Sequence, residues 1–182
     1  MTKCCDIFFQ KEMMMLIQKF GELDGYGVGL GENERTQLVE VLNRNIANAA
    51  LLATKYKKYH WTVSGALFRE LHLLFDDHAT NVNETIDEQA ERVMTLGGVP
   101  IGSPEEHLKF GTLKSAEPGI LTPATMLEDL LQDHHKVILE LRADIETATG
   151  CGDPGTADLF TRIVQVHEKD AWFIAEHRKR DR

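Results

Sequence analysis

The stretch HWTVSGALFRELHLLFDDHATNVNETIDEQAERVMTLGG, residues 60–98, decides the fold. Its apolar residues Phe68, Leu71, Phe75, Ala79, Val82, Ile86, Ala90 and Val93 recur every three or four positions, which places them on one face of a helix. The spacing predicts that helix from about Ala66 to Leu96, where Gly97-Gly98 stops it and Pro100 prevents its resumption. Upstream, Leu38, Leu42, Ile46, Ala49, Leu52 and Tyr56 keep the same period and predict a first helix, capped by Asn33 and running to about Trp61. Gly65 marks a short turn between the two, so they fold back antiparallel. Downstream, residues 97–122 hold Pro100, Pro104 and Pro118 and form a link long enough to cross a bundle, with one short helix around Glu105 to Lys109. Thr122-Pro123 supplies a cap and a first helical position for a third long helix, to about Thr149. After the loop at residues 150–155, a fourth carries Leu159, Ile163, Val166, Trp172 and Ile174 to the C-terminus. The expected class is all-α: a four-helix bundle with a short, a long and a short link.

Residues 1–33 read as an N-terminal extension, partly flexible, and 34–182 as one domain. A composition with 42% hydrophobic and 27% charged residues is that of a soluble globular chain. Twenty Lys and Arg against 29 Asp and Glu give a formal net charge of −9, which repels nucleic acid at long range and attracts cations. Cys4, Cys5 and Cys151 form no disulfide framework and fit a reducing compartment. No uninterrupted apolar run approaches the ~20 residues of a membrane span. A cytoplasmic protein with no membrane partner is expected.

Five residues suit metal chemistry: His60, His72, Asp76, Asp87 and Glu91. With His72 at zero, Asp76 falls near 40°, Asp87 near 60° and Glu91 near 100°, so the four on the second helix form one polar flank beside the apolar stripe, at roughly 100° per residue. His72/Asp76 and Asp87/Glu91 are each four apart and can grip one ion from one face. The two pairs cannot meet within one chain, because Asp76 and Asp87 are ~17 Å apart along a helix. Either they are two half-sites or they are surface decoration. A two-fold-related copy running antiparallel would bring the pairs together, twice per interface. Taken singly, each of the five suits a solvated face with a few salt bridges. Together they suit a borderline metal with oxygen chemistry.

The run Tyr59-His-Trp-Thr-Val-Ser-Gly65, followed by Leu71-His72, Asp76-Asp77, Asp87-Glu-Gln-Ala-Glu-Arg92 and Leu96-Gly-Gly-Val-Pro100, resembles the Dps family of miniature ferritins over roughly residues 34–178. The resemblance implies a ferritin-like bundle assembled into a hollow shell of twelve subunits. It implies ferroxidase sites at two-fold interfaces, with His60, His72 and Asp76 from one subunit and Asp87 and Glu91 from its neighbour. Iron would be oxidised there from Fe2+ to Fe3+, with hydrogen peroxide as oxidant, and the ferric mineral stored inside, protecting against oxidative damage. Zinc is a competing occupant, since histidine and carboxylates serve it too. Trp61 is expected either to intercept stray oxidising equivalents or to anchor the core. The chain has no Glu-x-x-His, the motif of an intramolecular di-iron site.

Asp153 and Asp158 lie where such proteins place acidic pores that admit iron, and Asp153 also suits a helix N-cap. His78, His134, His135 and His167 have no ligand spacing and read as surface or packing residues; Cys4 and Cys5 read the same way, and Met13, Met14 and Met15 as a packing patch. DNA compaction is the alternative function. Residues 1–33 offer no basic arm and the tail His177-Arg-Lys-Arg-Asp-Arg182 is basic but short, so weak binding by multivalency is the most that is expected.

Overall fold

The computed structural model describes residues 16–25 and 27–179. Cys4, Cys5, Met13, Met14, Met15 and the tail from Arg180 lie outside the described residues, which form five α-helices and no strand: α1 (Glu32–Thr62), α2 (Phe68–Thr95), α3 (Pro104–Phe110), α4 (Pro123–Gly150) and α5 (Pro154–Lys179). The four long helices and the short one in the crossover match the expected plan.

The apolar stripes build the core. Leu38, Leu42, Ile46, Leu52 and Tyr56 of α1 are fully or nearly fully buried against Leu71, Phe75, Val82 and Val93 of α2 and against Met126, Leu130 and Leu141 of α4. α1 packs mainly along α2, and α4 along α5.

Helix ends follow local chemistry. α2 closes with Gly97 at a φ of 81°, where Gly97 N–H donates to Met94 O and Gly98 N–H to Val93 O, a turn that a side chain at 97 would strain. The same pattern ends α4 at Gly152, φ 72°. Asn33 does not cap α1: the helix begins one residue earlier, with Gly31 as the cap, and Glu34 reaches back against it from the third helical position. Thr122 and Asp153 cap α4 and α5, each accepting the N–H three residues on, at 3.2 and 3.1 Å. α3 opens with a full capping box between Ser103 and Glu106.

Buried asparagines hold the crossover. Asn43 donates to Val99 O and accepts from Ile101 N–H, and Asn48 accepts from the N–H groups of Thr112 and Leu113. Each amide stands in for the strand or helix partner that the irregular backbone lacks. Residues 16–25 and 27–31 lie along the same end of the bundle: Gln18 and the Asp24 N–H both donate to Gly97 O at 2.9 Å, and Phe20 sits 5.1 Å from Phe110, centre to centre.

Asp153 ties the start of α5 to the last turns of α2, because Arg92 of α2 donates to both of its carboxylate oxygens at 2.7 and 2.8 Å. Burial works to raise its pKa, but hydrogen bonds from Thr156 and Arg92 bring it below the usual carboxylate value. A depressed pKa contributes stability that is present above the unfolded value near 4 and lost as pH falls through the folded one. Asp153→Ala is therefore expected to cost about 2–4 kcal/mol at pH 7, through the lost cap and the stranded guanidinium. Urea unfolding at several pH values should show the gap from wild type closing below pH ~4.

Candidate metal centre

α1 and α2 meet at their turn end, where Gly65 with φ 98° reverses the chain. That reversal sets His60, in the last turn of α1, against His72, in the second turn of α2. The two rings stack at 3.7 Å between centroids and 19° between planes. His60 Nδ1 donates to the carbonyl of His72 at 2.7 Å, and His72 Nδ1 donates to the carbonyl of His60 at 2.8 Å. A carbonyl can only accept, so each ring carries its proton on Nδ1. Both Nε2 lone pairs are then free in the neutral rings, and the rings cannot turn. This is the outer support that metal-binding histidines need.

Asp76 sits one turn beyond His72, half-exposed, with Lys57 Nζ 2.5 Å from its Oδ1. The Lys57 ammonium holds the Asp76 carboxyl below the usual carboxylate range. A cavity of about 430 Å³ lined by Lys57, Trp61, Thr80 and Asn83 opens on the same face, and Trp61 is 70% exposed rather than anchored in the core.

Asp87 and Glu91 lie further along α2 and are exposed. The structure brings His60 and His72 together, with Asp76 one turn further along α2 and paired with Lys57. It leaves Asp87 ~17 Å beyond Asp76 by the helix rise, with Glu91 a turn further. Among the described residues of one subunit, no three His, Cys, Asp or Glu side chains gather closely enough to hold an ion. At the start of α5, Asp153 is 4% exposed and committed to Arg92 and Thr156, whereas Asp158 is exposed beside Arg162. Of the two, only Asp158 presents its carboxylate to solvent.

The sequence reading missed Lys57, which lies three residues before His60 on the same side of α1; that spacing was the available signal. It also missed a buried ionic group in which Lys55 sits 3.0 Å from Asp129 and 2.6 Å from Asp133, with Tyr59 donating to Asp129 at 2.5 Å. Burial pushes the Asp133 carboxyl up and, with the Asp129 bond, the Tyr59 phenol well above its ordinary value. His78, His134 and His167 are buried and hydrogen-bonded, and His135 is exposed.

Comparison with known proteins agrees with the fold. Residues 39–182 match the Ferritin family, a ferritin-like domain. The DNA protection during starvation protein 1 of Deinococcus radiodurans is 34% identical over 145 residues, 80% of this chain and 70% of that protein. DpsC from Streptomyces coelicolor superposes with a TM-score of 0.87 at 38% identity, covering 90% of this chain and 95% of that one. The Dps of Vibrio cholerae, a member of a broad superfamily of ferritin-like diiron-carboxylate proteins, superposes with a TM-score of 0.77 at 29% identity, covering 82% and 93%. The fold and site define a ferritin-like helical protein, and the chain belongs to the Dps family.

Lys57 fills the place beside Asp76 that a cation bound to this carboxylate would need. Lys57→Met removes that competitor, so divalent-ion affinity should rise, by less than about tenfold because the pair is solvent-screened. Calorimetric titration of the assembled protein with Zn2+ checks this; weaker binding in the variant would mean that Lys57 supports the site instead.

Proposed function

We propose that this protein is a ferroxidase and iron store, oxidising Fe2+ at sites formed where two copies pair and keeping the ferric product inside a shell of twelve. The observation that carries the reading is the reciprocal Nδ1–carbonyl lock of His60 and His72, which leaves both Nε2 lone pairs available one helical turn from Asp76.

A second copy running antiparallel against the α1–α2 face supplies Asp87 and Glu91, completing two histidines and three carboxylates at each of two equal sites. Iron is the substrate. The carboxylates favour Fe3+ over Fe2+, because each added unit of metal charge is attracted by every anionic ligand, and so they ease electron loss. Hydrogen peroxide would take one electron from each of two Fe2+ and, with two protons, leave as water. The acidic surface, with a net charge of −9, concentrates the cation, and Asp158, with Asp153 behind it, is placed for a pore that admits it. Zinc would compete for the same nitrogen and oxygen donors. Protection from peroxide follows from this chemistry, and the cytoplasm is the setting proposed for it.

Complementation across the interface tests the reading. One variant carries Asp87→Asn and Glu91→Gln; the other carries His60→Gly and His72→Gly. Each shell alone should lose most Fe2+ oxidation, followed as the absorbance of the ferric product. In mixed shells one site of each mixed interface regains all five ligands, while the other keeps only Asp76, so activity should return. If mixed shells form and stay inactive, the five residues do not work across a two-fold interface.

DNA binding is a second reading, motivated by the Deinococcus relative's name and the basic tail. Arg178 is already engaged with Glu128, which leaves the tail less free charge than its sequence offers. Gel shifts should show binding only at low salt, and none after removal of residues 178–182. A shift by the truncated protein at physiological salt would assign DNA binding to another surface.

A further inference from the structure

A chain of polar side chains runs through the apolar interior, one or two residues from each long helix. His167 Nδ1 lies 3.1 Å from His134 Nδ1, His134 Nε2 lies 2.5 Å from the Tyr56 hydroxyl, and that hydroxyl lies 3.2 Å from His78 Nδ1. Beyond the ring of His78, its Nε2 faces Asp170 Oδ1 at 3.5 Å. All five residues are at most 3% exposed. The first three links are hydrogen bonds. The last is too long for a good one.

The geometry points to a second metal site at this end of the chain, in which His78 Nε2 and the Asp170 carboxylate hold a divalent ion of the Fe2+ or Zn2+ kind within a single subunit. Four observations carry it. The 3.5 Å gap matches the edge of a tetrahedron whose bonds are ~2.1 Å long, about 3.4 Å, the spacing of two donors sharing one zinc-like ion. Asp170 Oδ2 is buried and makes no hydrogen bond, and a carboxylate oxygen left so is costly unless a cation answers it. Both donors are held from behind: Asn81 Nδ2 donates to Asp170 Oδ1 at 3.1 Å, and the Tyr56 hydroxyl fixes the His78 ring. When His78 Nδ1 donates to Tyr56 and Tyr56 to His134, the Nε2 lone pair is left facing the carboxylate, two acceptors at the separation that two ligands of one cation keep. Finally, a cavity of about 370 Å³ between α2 and α5, walled by His78, Asp170, Thr80 and Phe173, gives access and room for water to complete the coordination shell. Asp77 on its rim attracts a cation and Lys169 opposes one.

This site differs from the interface centre in needing no partner subunit. It differs from the intramolecular Glu-x-x-His plan in using a histidine of α2 and a carboxylate of α5. Its position on facing helices of one bundle means that it loads whether or not two copies are paired.

Crystals of the intact assembly soaked in Zn2+, measured at the zinc absorption edge, test the site directly. The expected result is one anomalous peak per subunit between His78 Nε2 and Asp170, in addition to those at the two-fold interface. In Asp170→Asn, which keeps the shape and removes the charge, the cleft peak should vanish while the interface peaks remain. Equilibrium dialysis of the same proteins should show wild type holding about one more Zn2+ per subunit than the variant. Filled interface sites with an empty cleft, or equal stoichiometry in both proteins, overturns the inference and leaves the shared centre untouched. A cleft peak without interface peaks supports it and overturns the shared centre instead.

Discussion

The stiffness of α2 is the constraint on which the candidate chemistry depends. A helix fixes the distance between any two of its residues, and the eleven-residue step from Asp76 to Asp87 is three turns of rigid rod. No side-chain rotation closes a gap of ~17 Å. A chain with these residues in these positions can build a five-ligand centre only by meeting its own copy. On the reading proposed above, assembly and catalysis are one event, and the polar flank of α2, which lies outside the core, is where the second copy docks.

The interior had to solve a different problem. A long crossover brings backbone N–H and C=O groups over the bundle, and each needs a partner. Asn43 and Asn48 provide them from α1, while Arg92 and Asp153 tie α2 to the start of α5. Polar groups at the bundle's end thus hold the geometry that the apolar stripes alone leave loose. The stripes decide which faces meet; the asparagines and the ion pair decide how far along the helices slide.

Much of this was legible in the sequence because helical period is a strong signal over thirty residues. The four long helices, the turn at Gly65, the stop at Gly97 and the caps at Thr122 and Asp153 follow from spacing and from residues with one conformational use. The cap at Asn33 did not hold, since Gly31 has the extended backbone a cap needs and Glu34 reaches back to it. His60 and His72 were legible as neighbours from their places on either side of the turn, but their reciprocal hydrogen bonds were not, because these depend on how two helices cross. Lys55 with its two aspartates and the His78–Asp170 pair were hidden for the same reason. Their partners sit on helices remote in sequence, and a histidine with no local ligand spacing looks like any packing residue.

The pairing of α1 with α2 and of α4 with α5 has a consequence in time. Contacts between helices adjacent in sequence close small loops and form early. All five candidate ligands belong to the first hairpin, which leaves the ribosome before the second has been synthesised. The nascent chain therefore displays its histidines and carboxylates while its own bundle is unfinished and no sister chain is docked. At that stage the two candidate pairs already stand ~17 Å apart along α2, so the α1–α2 hairpin by itself cannot bring all five residues onto one ion.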